Sequence, residues 1–267
     1  MSANRIGAPA AARLLDGKTA LVSGVANRWS IATAIARAYS AHGAALVLTY
    51  EGDRTKPEVE KLAAELGDAI AAPCDVSSDA SIAELRQALS SRGVKLDALV
   101  HSIAFARKEE LSGKYMATSR AGFALALDIS AYSLVVLCRE MAELLTQAAS
   151  VVALTYLGSV RAVPNYNVMG VAKAALESSV RYLAADLGEM GVRVNAISAG
   201  PIKTASARAV SGLSTILSEM TKKAPLRRNV SADDVANAAV FLASALSDAI
   251  TGHVLYVDAG YNVMAMT

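Results

Sequence analysis

Cysteine is scarce. The two in 267 residues, Cys74 and Cys138, cannot build a disulfide framework or a zinc site by themselves. Both lie in apolar surroundings, so each is expected to be buried and inert. Aromatic residues make up 5% of the chain, and neither sign of charge prevails: 26 basic residues face 24 acidic ones, for a net charge of +2. That balance excludes a broad basic footprint for nucleic acid. Lys222-Lys223 and Arg227-Arg228, around Pro225, form one basic cluster and read as a solvated turn. Long apolar runs are missing as well. The longest, such as Leu134 to Cys138, fall far short of the roughly 18–20 residues a spanning helix needs, so no membrane span is expected. His42, His101 and His253 have no ligand-like spacing, and no metal is expected. Pro9 and Arg13 interrupt the first stretch; residues 1–12 read as a flexible tail instead of a signal peptide, and a reducing cytoplasm is the expected compartment.

What is present is apolar and periodic. Hydrophobic residues reach 54%, which excludes a disordered chain, and the length is enough for one large self-sufficient domain. Short β-rich runs at Thr19–Ser23, Ala45–Thr49, Ala69–Pro73, Ala98–Ile103, Val151–Thr155, Arg193–Ile197 and Val254–Val257 alternate with helical stretches. The helical stretches are Ser30–His42, Pro57–Leu66, Asp79–Arg92, one around Ile129–Thr146, Tyr166–Gly188 and Ala232–Ala245. Several of the strands are nearly continuous apolar runs, as in parallel sheets covered on both faces. The alternation predicts an α/β fold: a single-domain, doubly wound parallel sheet of about seven strands over 13–267, with helices on both faces. Ligands of such a sheet lie beyond the C-terminal ends of its strands, so the residues just after each strand carry the functional information.

Gly24 follows the first strand and allows a tight turn; Ser30 is placed to cap the following helix, whose N-terminus attracts phosphate. The segment lacks the G-x-G-x-x-G pattern, and a plain strand–turn–helix connection fits it equally well. Glu51, after the second strand, suits a ribose hydroxyl and repels a 2′-phosphate, which favours NADH over NADPH; a mixed-charge surface loop is the competing reading, with Arg54 and Lys56 nearby. Asp75, after the third strand, either reaches an adenine amino group or caps a turn. Tyr166 and Lys173 are seven residues apart, nearly two helical turns, so they share one face. An ammonium there would lower the tyrosine pKa and make the phenol a usable acid. Taken out of context, a packed Tyr and a solvent-facing Lys explain the pair as well.

The context is broader. Tyr156-x9-Tyr166-x6-Lys173 resembles the signature of the NADH-dependent enoyl-acyl carrier protein reductases, in the short-chain dehydrogenase/reductase superfamily, whose usual spacing is the narrower Tyr-x-x-x-Lys. Asp97–Ala106, Asp128–Ser133, Arg193–Thr204, Thr251-Gly252 and Val257–Gly260 continue the resemblance, in order, over nearly the whole chain after about residue 14. The resemblance implies a Rossmann-like fold that reduces the trans-2 double bond of enoyl thioesters on acyl carrier protein with NADH, in fatty acid elongation. It implies that Tyr166 holds the thioester carbonyl and that Lys173 holds the nicotinamide ribose. Tyr156 borders the substrate, either donating protons or gating the acyl chain. Gly24, Ser30, Ile31, Glu51, Asp75, Val76 and Ile103 match nucleotide-contacting positions, and Ala106 a position near the acyl group. Ile202, Lys203, Thr204, Ala205 and Ser206 match the segment that closes over the cofactor. Ala205 replaces a larger apolar residue of the family pattern, and the stretch 205–223, rich in Ser and Ala, reads as a mobile substrate loop. A homotetramer is implied as well. Met169 and Met190 read as core filler. The competing functions are a carbonyl-reducing dehydrogenase of the same superfamily, with Ser159 as its nearest catalytic hydroxyl, and a non-catalytic nucleotide sensor.

Overall fold

A computed structural model describes residues 13–67, 69–204 and 212–265. Seven strands form one parallel sheet: β1 (Thr19–Ser23), β2 (Ala45–Tyr50), β3 (Ile70–Pro73), β4 (Leu96–His101), β5 (Leu145–Thr155), β6 (Arg193–Ala199) and β7 (Val254–Val257). Their order across the sheet is β3-β2-β1-β4-β5-β6-β7, and every neighbouring pair is parallel. The helices are α1 (Ile31–Ala41), α2 (Lys56–Glu65), α3 (Asp79–Ser91), α4 (Arg120–Leu127), α5 (Ser133–Met141), α6 (Asn167–Gly188), α7 (Leu213–Lys223) and α8 (Ala232–Ala243).

The apolar strands are explained by burial on both faces. In β1, Ala20 and Val22 join one core with residues of α1 and α8, while Leu21 points into the other with residues of α3, α5 and α6. In β4, Ala98 and Val100 face the first core and Leu99 the second; in β6, Ile197 and Val194 divide in the same way. Side chains alternate across a strand, so each face receives every second residue. Serines start the helices: Ser30, Ser78, Ser119 and Ser231 each accept a backbone N–H of the first turn. At α8 the Asp234 carboxylate reciprocates, forming a capping box.

Two sequence expectations are corrected here. The helix expected around Ile129–Thr146 begins earlier, at Arg120, passes through a π turn at Asp128–Tyr132, and gives way to β5 at Leu145. The run Arg120–Leu144 is 25 residues long and holds an 18-residue window of mean hydropathy 1.9, so by length and composition alone it could cross a membrane; half of that window is buried within the protein. Charged and polar interruptions hide this length in the sequence. The stretch 205–223, expected to be a loop, contains α7; its first residues, with Ala205 and Ser206, lie outside the described residues. Leu217 and Met220 of α7 are buried, so packing sustains a helix that its polar composition conceals.

Candidate active site

The strand order reverses between β1 and β4, and a crevice opens beyond their C-terminal ends. Gly24 occupies the turn after β1 with φ +94°, and a Cβ there would stand 2.0 Å from the Ser102 carbonyl oxygen. The two chain segments meet too closely for any other residue, and the backbone conformation is one that L side chains rarely adopt. Gly24→Ala is therefore expected to destabilise the fold by about 1–3 kcal/mol. The measurement is the urea midpoint, and an unmoved midpoint would show that the turn tolerates a side chain.

The turn leads into α1. The Asn27 carbonyl accepts the Ser30 N–H at 3.1 Å, the Ser30 hydroxyl at 3.0 Å and the Thr33 hydroxyl at 2.7 Å. Asn27 thereby fixes the approach to the helix, a role the sequence reading missed. Gly24, Asn27, Ser30 and Ile31 form one wall of a cavity of about 370 Å³. The segment after β4, Ser102 to Ala106, forms another, and Ile202 with Thr204 after β6 a third.

Tyr166 and Lys173 both line this cavity. Tyr166 stands at the cap of α6, just before its first turn. Its neighbours Asn165 and Asn167 both have left-handed φ, +59° and +24°, a conformation Asn tolerates better than most residues. The Asn167 amide donates to the carbonyls of Ser112 and Gly113, both at 3.2 Å, which ties the start of α6 to the segment before α4. The Tyr166 ring meets Tyr156 edge to face, with centroids 4.9 Å apart and planes at 67°. Gly158 makes room for it, since a Cβ at Gly158 would lie 2.5 Å from the Tyr166 ring. Lys173 is buried, and its ammonium donates to the Leu154 carbonyl at 2.7 Å. One residue on, the Thr155 hydroxyl donates to the buried Glu177 carboxylate at 2.7 Å, one helical turn beyond Lys173. Two adjacent bonds thus bind α6 to the end of β5.

The electrostatics correct the sequence argument. Burial pushes the Tyr166 phenol well above its ordinary range, and Tyr156 adds to the shift; no lowering by Lys173 appears. Tyr156 is pushed up to about 12 by burial, then by Tyr261. Burial pulls Lys173 down to about 8, against the opposing pull of Glu177. Desolvation disfavours the charged form of both groups. Tyr166 is therefore a neutral hydrogen-bond donor throughout the physiological range.

Other expected positions separate. Ile103, Ala106 and Tyr156 line the cavity with the residues above. Glu51 lies after β2, exposed and paired with Arg54 at 3.3 Å, and outside the cavity wall. Asp75 accepts the Ser77 N–H and hydroxyl at 2.9 and 2.7 Å, the turn-capping alternative, and Val76 packs against the second core. Lys203 faces a neighbouring groove with Arg28 and Arg37. Met169 is core filler and cavity wall at once. Ser159 lines neither the cavity nor its neighbours. His101 is fully buried, its Nε2 2.7 Å from the Ser133 hydroxyl, and burial lowers its pKa to about 3, so it stays neutral. Among the described residues no cluster of His, Cys, Asp or Glu could hold a metal. A second chamber of about 190 Å³, sharing Tyr156, Val163, Gly200 and Ile216 with the first, extends toward α7. Neither the Asn27 contacts nor this chamber leaves a spacing signal in the sequence, because both depend on segments brought together by the sheet.

A glycine turn that feeds a helix N-terminus at the reversal of strand order is how doubly wound sheets receive a pyrophosphate. With a tyrosine and a lysine of α6 converging on the same crevice, the chain falls in the short-chain dehydrogenase/reductase class. Comparison with known proteins narrows this. The family described as enoyl-(acyl carrier protein) reductase matches residues 24–262, and the chain belongs to that family. It is 50% identical to an NADH-type enoyl-[acyl-carrier-protein] reductase of Nostoc sp. over 255 residues, covering 94% of this chain and 99% of the relative. The crystal structure of the Bacillus cereus enoyl-acyl carrier protein reductase with NADP+ and indole naphthyridinone superposes with a TM-score of 0.93 at 46% identity, covering 95% of this chain and 99% of that one. The Anaplasma phagocytophilum reductase, solved in complex with NAD, gives 0.91 at 42% identity, covering 97% of each chain.

Proposed function

We propose that this chain reduces the 2,3 double bond of trans-2-enoyl thioesters on acyl carrier protein with NADH, in fatty acid elongation. The observation that carries the reading is that Tyr166 and Lys173, seven residues apart, line one cavity at the strand-order reversal. The residues fit a dinucleotide. The N-terminus of α1, through Ser30 and Ile31, and the buried Lys173 line the same cavity, and an exposed carboxylate follows the adjacent strand β2. When bound, NADH supplies the hydride.

The protein's own part is binding and polarisation. The amides of the Gly24–Ile31 turn and the α1 dipole hold the pyrophosphate. Glu51 accepts from the adenosine ribose, while Asp75 and Val76 flank the adenine. Ile103 and the 202–206 segment close over the remainder. Lys173, anchored on Leu154, directs its remaining N–H groups at the nicotinamide ribose. The Tyr166 hydroxyl has no hydrogen-bond partner among the described residues, so its O–H is free for the thioester carbonyl. It strengthens its bond as negative charge gathers on that oxygen, which lowers the barrier to saturation of the olefin. Tyr156 holds the Tyr166 ring in place and borders the acyl chain beside Ala106. The whole of 13–267 acts as one domain, and α7, within the 205–223 substrate loop, lines the second chamber. A homotetramer fits the exposed Phe123, Tyr132 and Tyr182 on α4, the π turn and α6, and a reducing cytoplasm fits the two buried free thiols.

The test is loss of NADH absorbance with an enoyl thioester, run in parallel with NADPH and with a ketone. Turnover of the ketone alone would overturn the reading. Glu51→Arg is expected to move the NADPH-to-NADH ratio of kcat/KM up by on the order of tenfold, the worth of about 1.4 kcal/mol. A fixed ratio would remove Glu51 from the ribose site.

A further inference from the structure

The segment between β4 and α4 carries charge that the cavity does not use. It folds into two short 3-10 turns, Lys108–Leu111 and Tyr115–Ala117. Its inner edge is fixed. The buried Glu110 carboxylate accepts the Ser119 N–H at 3.1 Å and the Ser119 hydroxyl at 2.5 Å, and lies where a Cβ on Gly122 would have to go. Asn167 holds Ser112 and Gly113 from the other side, and the Phe105 N–H donates to Ser130 of the π turn at 3.0 Å. Ala106 and Leu111 of this flap are cavity wall. Its exposed residues therefore flank the cavity on an anchored inner edge.

That face is basic. Arg107, Lys108, Lys114 and Arg120 are exposed, and none is paired with a carboxylate among the described residues. Glu109 is the one exposed carboxylate of the flap. Tyr115 is 47% and Met116 86% exposed in the middle of it. The cluster that the sequence makes conspicuous is different in kind. Lys222 and Lys223 both engage Glu219, at 3.1 and 3.5 Å, and Arg228 engages Asp234 at 2.7 Å. Those three charges are already answered within the chain, with Arg227 left exposed; none of the flap's four is.

We propose that the outer face of the 107–120 flap docks the acyl carrier protein, its unpaired cations meeting an acidic face of the carrier and Tyr115 with Met116 packing against that face. This rests on the enoyl-thioester reading above and adds to it the place where the carrier sits. Unpaired charge of one sign beside a cavity mouth steers an oppositely charged partner and speeds encounter without touching the chemistry. Docking there holds the carrier beside the cavity wall that Ala106 and Leu111 form.

The experiment compares two substrates bearing the same enoyl group, one on acyl carrier protein and one on N-acetylcysteamine, an uncharged small thiol. Arg107→Glu with Lys114→Glu is expected to raise KM for the carrier substrate by about tenfold and to flatten the salt dependence of its kcat/KM. Both constants for the small thioester should stay unchanged. Arg107→Gln with Lys114→Gln should fall between, and guards against a reversal that misfolds. Unchanged KM for the carrier substrate overturns the proposal, as does an equal loss on both substrates at an unchanged melting temperature. A larger effect from Lys222→Glu with Lys223→Glu overturns it in favour of α7. If the parent protein turns over neither thioester, the enoyl reductase reading falls and the docking falls with it.

Discussion

Tyr166→Phe should lower turnover by roughly 10²- to 10⁴-fold, the range for loss of a positioned proton donor, while leaving NADH affinity and the melting temperature close to the parent's. The variant keeps the ring, so the edge-to-face contact with Tyr156 and the close fit over Gly158 persist. Only the O–H is lost, and no protein group within the described residues is left unpaired by its removal. Burial holds the phenol protonated, so its contribution is a hydrogen bond to an oxygen that gains charge. For the same reason Tyr166 should add no titration of its own near neutrality to the pH–rate profile. Stopped-flow or steady-state turnover with a saturating enoyl thioester decides the matter; a near-normal rate would remove Tyr166 from the mechanism.

Lys173→Met should weaken NADH binding by roughly 10- to 100-fold, the loss of hydrogen bonds made by a charged group. The sign of the pH dependence follows from burial. The Lys173 pKa falls from 10.5 to about 8, so in the free protein the ammonium is present below about pH 8 and is lost as pH rises through it. NADH affinity should therefore decline above about pH 8 in the parent, and that alkaline limb should be missing in the variant. Stability runs the other way. Between about pH 8 and 10.5 the unfolded chain binds more protons at this site than the folded one, so the group's contribution to stability rises with pH over that window. At neutral pH, keeping the charge buried costs about 3 kcal/mol, an order-of-magnitude figure. An apolar side chain of similar length removes that cost and gives up one bond to the Leu154 carbonyl. Lys173→Met is thus expected to melt no lower than the parent at pH 7 while losing its cofactor, the trade-off of a residue kept for function. Calorimetric melting together with NADH titration across pH 6 to about 9.5 checks both halves. A collapse in melting temperature would make Lys173 a structural residue.

The elements legible in the sequence are those whose pattern is local. Strands buried on both faces betray themselves as short apolar runs, and β1, β2 and β7 fall where those runs lie. α6 shows its period through Ala172, Leu176, Val180 and Leu183, all buried. The elements that were misread owe their structure to neighbours. α7 carries polar residues over most of its length and is held by Leu217 and Met220 against the rest of the protein. The π turn in the middle of Arg120–Leu144 turns Ser130 to the Phe105 backbone, a contact between residues 25 apart that no short window reveals. The basic flap escaped notice because Glu109 and Glu110 dilute its charge in sequence, although folding buries Glu110 and leaves the cations outside.

By itself the sequence determined the α/β alternation, the glycine turn after β1 and the one-face spacing of Tyr166 and Lys173, because strand and helix periods are set by the backbone and read out residue by residue. Only the tertiary structure decided the protonation states. Spacing suggested that Lys173 would acidify Tyr166; burial instead keeps the phenol neutral and draws the ammonium toward neutrality. The cost of removing a charge from water depends on everything packed around it, and that surrounding is assembled from segments more than a hundred residues apart.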